Sequence, residues 1–128
     1  MVLPASMRLR GHRCFNRLHR ASKRQHGTLM VLRVAAADSN LLRRELRGIE
    51  EKTCRCALVI SNKVSKRAVN RNRLRRLLHD HLRRHFERRH DLAGQWLLLS
   101  LRPEAAEAEP TQLLEECDSL LRSAGLDP

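Results

Sequence analysis

The chain has 128 residues and a mass of 14.9 kDa, with 26 Lys and Arg against 14 Asp and Glu, a formal charge of +12 and a pI near 11.2. That length suits one domain able to bury its own core without cysteine staples, and the charge points to a polyanionic partner rather than to acidic metal-cluster chemistry. No apolar run approaches the roughly 20 residues of a membrane span, and the apolar residues 1–5 precede a basic run, the reverse of a secretory signal's order. A cytoplasmic protein with no membrane partner is expected. The cysteines, Cys14, Cys54, Cys56 and Cys117, show no disulfide spacing.

Residues 12–21 read as a short helix with Phe15 and Leu18 on one face, and residues 22–27 as a loop carrying Lys23, Arg24 and His26. Residues 28–35 read as a strand, with Leu29, Val31 and Arg33 pointing one way and Met30, Leu32 and Val34 the other. Residues 36–51 read either as a loop or as a loop with a helical turn around 41–46. Residues 54–61 give a second strand. From about 67 to 89, Leu74, Leu77, Leu78, Leu82 and Phe86 recur at helical spacing under an Arg-rich surface. Residues 96–101 read as a strand buried on both faces. Thr111 is the expected N-cap of a last helix with the stripe Leu113, Leu114, Cys117, Leu120 and Leu121, stopped by Gly125. Strand, helix, strand predicts a layered α/β domain.

The positive charge is concentrated. Residues 1–33 hold eight Lys or Arg and no acid, and residues 55–90 hold 12 basic and two acidic side chains, whereas residues 91–128 hold two basic and eight acidic. Like charges gathered this way call for phosphate. Arg71, Arg73, Arg75 and Arg76, with Asn72 among them, cover most of the solvent side of the long helix. Lys63, Lys66 and Arg67 lie near its start, where free backbone N–H groups also favour an anion. No helix-turn-helix or zinc-module pattern supports a major-groove reader, and an Arg-rich helix on an α/β platform suits structured RNA. The aromatics are Phe15, Phe86 and Trp96 alone, too few for a stacking platform. Phe86 and Trp96 read as core, and Phe15 either stacks on a base or packs the first helix.

The string Ser61-Asn62-Lys63-Val64-Ser65-Lys66-Arg67-Ala68-Val69-Asn70-Arg71-Asn72-Arg73-Leu74-Arg75-Arg76-Leu77 resembles the signature of the bacterial ribonuclease P protein component, centred on Arg71-Asn72-Arg73. The order of the flanking elements extends the resemblance over roughly residues 9–124. It implies a single α/β domain, an α+β sandwich with a mostly four-stranded sheet flanked by helices, and a left-handed crossover that breaks the usual rule. The domain is expected over residues 9–124, with tails at 1–8 and 125–128.

The resemblance also implies function: an accessory subunit of a catalytic RNA that removes the 5′ leader of precursor tRNA, the RNA using Mg2+ to activate water, and the protein inactive alone. Its partners would be ribonuclease P RNA and precursor tRNA, with no obligate protein partner. Lys63, Lys66, Arg67, Arg71, Asn72, Arg73, Arg75 and Arg76 would contact the catalytic RNA. Phe15, Arg17, Met30, Leu32, Arg33 and Ser61 would line the leader cleft. No catalytic residue and no protein-held metal is expected.

The chain departs from the pattern at Met30, where Phe is frequent, at Arg33, where Tyr is, and at Asn62, where Lys is. A zinc site drawing on Cys54, Cys56, His79, His81 and His85 is set aside because one residue between the cysteines is tighter than structural zinc spacing. The competing classes are a structural RNA-binding protein and a nucleoid-like DNA binder. Specific affinity for one folded RNA separates the first two classes from the third. Stimulated leader cleavage singles out the first.

Overall fold

Strands β1 (Lys23–His26), β2 (Met30–Ala36), β3 (Arg55–Val59) and β4 (Gln95–Leu101) make one sheet ordered β1-β2-β4-β3 in the computed structural model, which describes residues 3–20, 23–42 and 54–126. β2 pairs antiparallel with β1 and β4, and β3 lies parallel to β4. The parallel pair is joined through helix α2 (Ala68–Phe86), the connection that the resemblance expects to be left-handed. Helices α1 (His12–His19) and α3 (Pro110–Ser123) complete the layers.

Alternation along the strands divides the core. Met30, Leu32 and Val34 of β2, Cys56 of β3 and Leu97, Leu99 and Leu101 of β4 face the larger cluster, with Leu74, Leu78, Leu82 and Phe86 of α2 and Leu113, Cys117, Leu120 and Leu121 of α3. The opposite face carries Ala57, Trp96 and Leu98 under Cys14 and Leu18 of α1. β4 is buried on both faces because helices cover both, as its unbroken apolar run implies.

Four expectations are corrected. Lys-Arg-Gln-His offers no apolar alternation and predicts a loop, but β1 is a strand because the β2 backbone supplies its ladder, Lys23 opposite Val34 through His26 opposite Val31. Residues 3–8 are not a tail. Leu3 and Met7 are buried in the larger cluster, and the buried Arg55 donates from Nη1 to the carbonyls of Ala5 (3.0 Å) and Arg8 (2.9 Å), tying that segment down. At the other end Leu126 is buried too, and its N–H donates to the Leu121 carbonyl (2.8 Å) as Gly125 turns at φ +80 to close α3. The cap of α3 is Glu109 with Gln112 in a capping box ahead of Pro110, not Thr111, because proline fits the first helical turn. A short 3-10 turn spans Ser39–Leu41, and residues 43–51 of the ambiguous stretch lie outside the described residues.

Glu116 of α3 fastens the β1–β2 hairpin. Its two carboxylate oxygens accept from the backbone N–H groups of Thr28 (2.9 Å) and Leu29 (2.8 Å). A Cβ on Gly27 would stand 2.6 Å from that carboxylate, so glycine is what lets the hairpin and α3 approach. Glu116→Ala should cost about 1–3 kcal/mol, the range for losing charge-assisted bonds at a partly wet site. Glu116→Gln should cost less, since one acceptor oxygen remains. Urea unfolding of the three proteins checks this.

Candidate nucleic-acid interface

The approach to α2 is a compact loop. Val64 is buried and anchors it, while the Val64 N–H donates to the Ser61 carbonyl (3.0 Å). Ser65 organises the helix start: its hydroxyl accepts from the Arg67 N–H and the Asn70 amide (both 3.3 Å), and its carbonyl accepts from Arg71 Nη1 (2.8 Å). Arg71 is therefore partly occupied in holding the loop. Asn72 is occupied as well, its Oδ1 accepting from Arg75 Nη1 (2.8 Å). Lys63, Lys66, Arg67, Arg73 and Arg76 stand exposed around these positions. The structure brings all eight sequence-predicted residues of this group onto one loop and the first three turns of α2.

The two halves of α2 differ in electrostatics. In the C-terminal half, Arg83 pairs with Asp80 (3.4 Å) and Glu87 (3.3 Å), Arg84 lies against Asp80, and beyond the helix Arg89 pairs with Asp91 (3.0 Å). Asp80 is held below the ordinary carboxylate range, against burial, by Arg84 and Arg83. In the N-terminal half, no acid lies within ion-pair distance of Lys63, Lys66, Arg67, Arg71, Arg73, Arg75 or Arg76 among the described residues. Seven cations without a counter-charge among the described residues form a ready phosphate-binding face.

His79 lies between this surface and the core. Burial, and then the Arg75 and Arg8 guanidiniums, push its imidazole down to about 4 from an ordinary 6.5, and its Nδ1 has no hydrogen-bond partner among the described residues. The unfolded chain thus takes up this proton at a higher pH than the folded one. Stability is full above about pH 6.5 and falls as the pH drops toward about 4. His79→Leu should remove that component, raising the urea midpoint at about pH 5 more than at about pH 7.5.

The residues expected to form a leader cleft are not brought together. Met30 and Leu32 are fully buried in the larger cluster, on the face of the sheet away from α1, and cannot line an open cleft. Arg33 has the opposite parity, so it can share no face with them. It lies on the α1 side, across from Arg24, and burial together with Arg24 pushes its pKa down from the ordinary value. Val31 and Ser100 share its face of the sheet. Phe15 is half-buried against the smaller cluster, as is Val59, so Phe15 packs α1 while keeping part of its ring accessible. Ser61 is exposed beyond β3.

Arg17 belongs to a different opening. Its Nε donates to the Ala36 carbonyl (2.9 Å) at the end of β2. An open cleft of about 730 Å³ lies there, lined by Arg13, Asn16, Arg17, Arg20 and Lys23, with Asp38 and Gln95 also on its walls. Arg13, Arg17 and Arg20 recur at helical spacing opposite the buried Cys14 and Leu18. That period, together with the acid-free charge of residues 1–33, was the signal in the sequence for this second basic surface.

The four cysteines are buried and reduced. Burial pushes the Cys117 thiol up to about 12, and Cys54 and Cys56 lie side by side in the core, Sγ to Sγ 3.9 Å. No helix among the described residues is long and apolar enough to cross a membrane.

The family model described as Ribonuclease P matches residues 3–125 of the chain. The chain is 74% identical to the ribonuclease P protein component of Synechococcus sp. (strain CC9902), with 99% of each chain covered, and 58% identical to that of Prochlorococcus marinus (strain MIT 9313), with 98% of each covered. Among solved structures it superposes on the RNase P protein of Staphylococcus aureus with a TM-score of 0.75 at 16% identity, covering 95% of this chain and 98% of that one. The corresponding values for the protein from Thermotoga maritima are 0.67 and 19%, with 91% and 96% covered. These two likenesses bear on the fold.

Proposed function

The chain belongs to the ribonuclease P protein family, and we propose that it serves as the protein subunit of that ribonucleoprotein, binding the catalytic RNA and the 5′ leader of precursor tRNA while the leader is cut off hydrolytically. The observation that carries this reading is the positive charge of the N-terminal half of α2 and the loop before it, which no acid among the described residues answers. Lys63, Lys66, Arg67, Arg73 and Arg76 contact phosphates of the catalytic RNA. Arg71, Asn72 and Arg75 hold the loop and helix surface in shape and add charge to it.

The leader, a single strand, follows the α1 side of the sheet. Phe15 offers the accessible part of its ring for stacking, and Arg33 and Arg24 offer charge. Arg13, Arg17, Arg20 and Lys23 line the adjoining cleft and extend the path for a polyanion. With arginine in the strand and one half-buried aromatic ring, leader affinity is more electrostatic than stacking in origin.

The protein supplies no catalytic group. In this reading the Mg2+ that activates water is held by the catalytic RNA and its substrate. The setting is the cytoplasm, where precursor tRNA is made.

The test is cleavage of precursor tRNA by the ribonuclease P RNA of the same organism at about 2 mM Mg2+, where phosphate repulsion is poorly screened. With the protein, cleavage should be strongly stimulated and leave correct 5′ ends. Protein alone should cut nothing. Absence of stimulation by folded protein would leave a structural RNA-binding role in its place.

A further inference from the structure

Two histidines of α2 and a carboxylate of α3 aim three donor atoms at one point. His81 and His85, one helical turn apart, hold their Nε2 atoms 3.0 Å from each other. Asp118 Oδ1 lies 2.7 Å from the first and 3.3 Å from the second. No other group of three or more His, Cys, Asp or Glu side chains converges in this way among the described residues. The side chains are 14%, 25% and 25% exposed, shielded yet open to a small solute.

Hydrogen bonds fit this triangle poorly in every protonation arrangement of the two rings. If His81 Nε2 alone carries a proton and gives it to Asp118, the lone pair of His85 Nε2 faces the carboxylate. If His85 alone carries one, the lone pair of His81 faces the carboxylate at the shortest of the three edges. If both rings carry one, both N–H groups must share the single acceptor Asp118 Oδ1, with the two donor nitrogens crowded to 3.0 Å. A cation between the three atoms uses every lone pair at once.

We propose that His81, His85 and Asp118 form a binding site for a divalent first-row metal ion, zinc above all, which clips α2 to α3. Tetrahedral coordination with metal–ligand bonds of about 2.0–2.2 Å separates donors by about 3.3 Å. The observed edges of 2.7, 3.0 and 3.3 Å need to open by no more than about 0.6 Å. Two imidazoles and one carboxylate leave a fourth position for water, and imidazole suits zinc, whereas Mg2+ seeks oxygen ligands and holds its own waters. The site lies in the half of α2 whose arginines are already paired with acids, apart from the proposed RNA surface. Metal binding and RNA binding are therefore separable. Sequence spacing could not disclose the third ligand, which comes from 37 residues away.

The experiment uses the full chain stripped of metal with a chelator and then titrated with Co2+, whose tetrahedral complexes absorb strongly in the visible. The wild type should develop that absorption to a plateau at one equivalent and lose it when Zn2+ is added, but not when a large excess of Mg2+ is. His85→Gln and Asp118→Asn, with their folding checked by far-ultraviolet circular dichroism, should bind Co2+ at least tenfold more weakly. His12→Gln, at the exposed start of α1, should match the wild type. Zn2+ should raise the melting temperature of the wild type and of His12→Gln and leave the two ligand variants unmoved. A wild type without the tetrahedral spectrum would overturn the proposal, since that result needs no variant to fold. Equal binding by His85→Gln and Asp118→Asn would overturn it as well, placing the ion elsewhere.

Discussion

Phe86→Ala should lower the free energy of unfolding by about 3–5 kcal/mol, the range for truncating a fully buried aromatic side chain. Phe86 is completely buried at the last position of α2, on the line that runs from Leu74 through Leu78 and Leu82. Those leucines hold the helix on the sheet, and Phe86 holds its far end. A domain of this size has about 5–15 kcal/mol in total, so the loss takes a large share. Phe86→Leu fills most of the volume and should cost about 1–2 kcal/mol. Val69, 69% exposed on the first turn of the same helix, provides the contrast. Val69→Ala removes atoms that touch water on both sides of the equilibrium and should stay within about 0.5 kcal/mol. Urea unfolding of the four proteins checks the order. A small loss for Phe86→Ala would mean that α2 is seated on the sheet by something other than this row.

How much of this was legible in the sequence depends on whether a residue's neighbours are near in the chain. The leucine row of α2 and the apolar run of β4 could be read because each element declares its buried face within itself. β1 could not, because a polar four-residue strand becomes a strand only through the ladder that β2 offers. Leu3 and Met7 looked like part of a tail because the group that fixes them, Arg55, stands about fifty residues on. The leader cleft shows a different limit. Alternation along β2 correctly set Met30 and Leu32 apart from Arg33, but which set faces α1 depends on where the helices pack, and α2 and α3 took the face of Met30. Among the residues of the basic surface, the charges were visible, but their division of labour was not. That Arg71 binds the Ser65 carbonyl while Arg73 and Arg76 have no partner among the described residues is a property of the folded loop.

That division decides which substitutions report on RNA. Arg73→Ala combined with Arg76→Ala should weaken binding to the catalytic RNA by about a hundredfold at low salt, at about 1.5 kcal/mol per lost charge-assisted contact. The fall of log affinity with log salt should become shallower by about 0.7–0.9 for each contact. Because both side chains are exposed and unpaired with any acid among the described residues, stability should change by no more than about 0.5 kcal/mol. Arg71→Ala should behave differently. It removes a cation and also the clamp on Ser65, so it should lower stability along with affinity. Arg83→Ala with Arg84→Ala removes the same formal charge from the half of α2 where Asp80 and Glu87 already answer it, and it should leave the salt slope nearly as it was. If instead the two double variants flattened the slope equally, RNA affinity would follow net charge alone. The pattern of paired and unpaired arginines along α2 would then have no part in recognition. If only the Arg73 and Arg76 pair does so, the counter-charge missing from the N-terminal half of the helix is RNA phosphate.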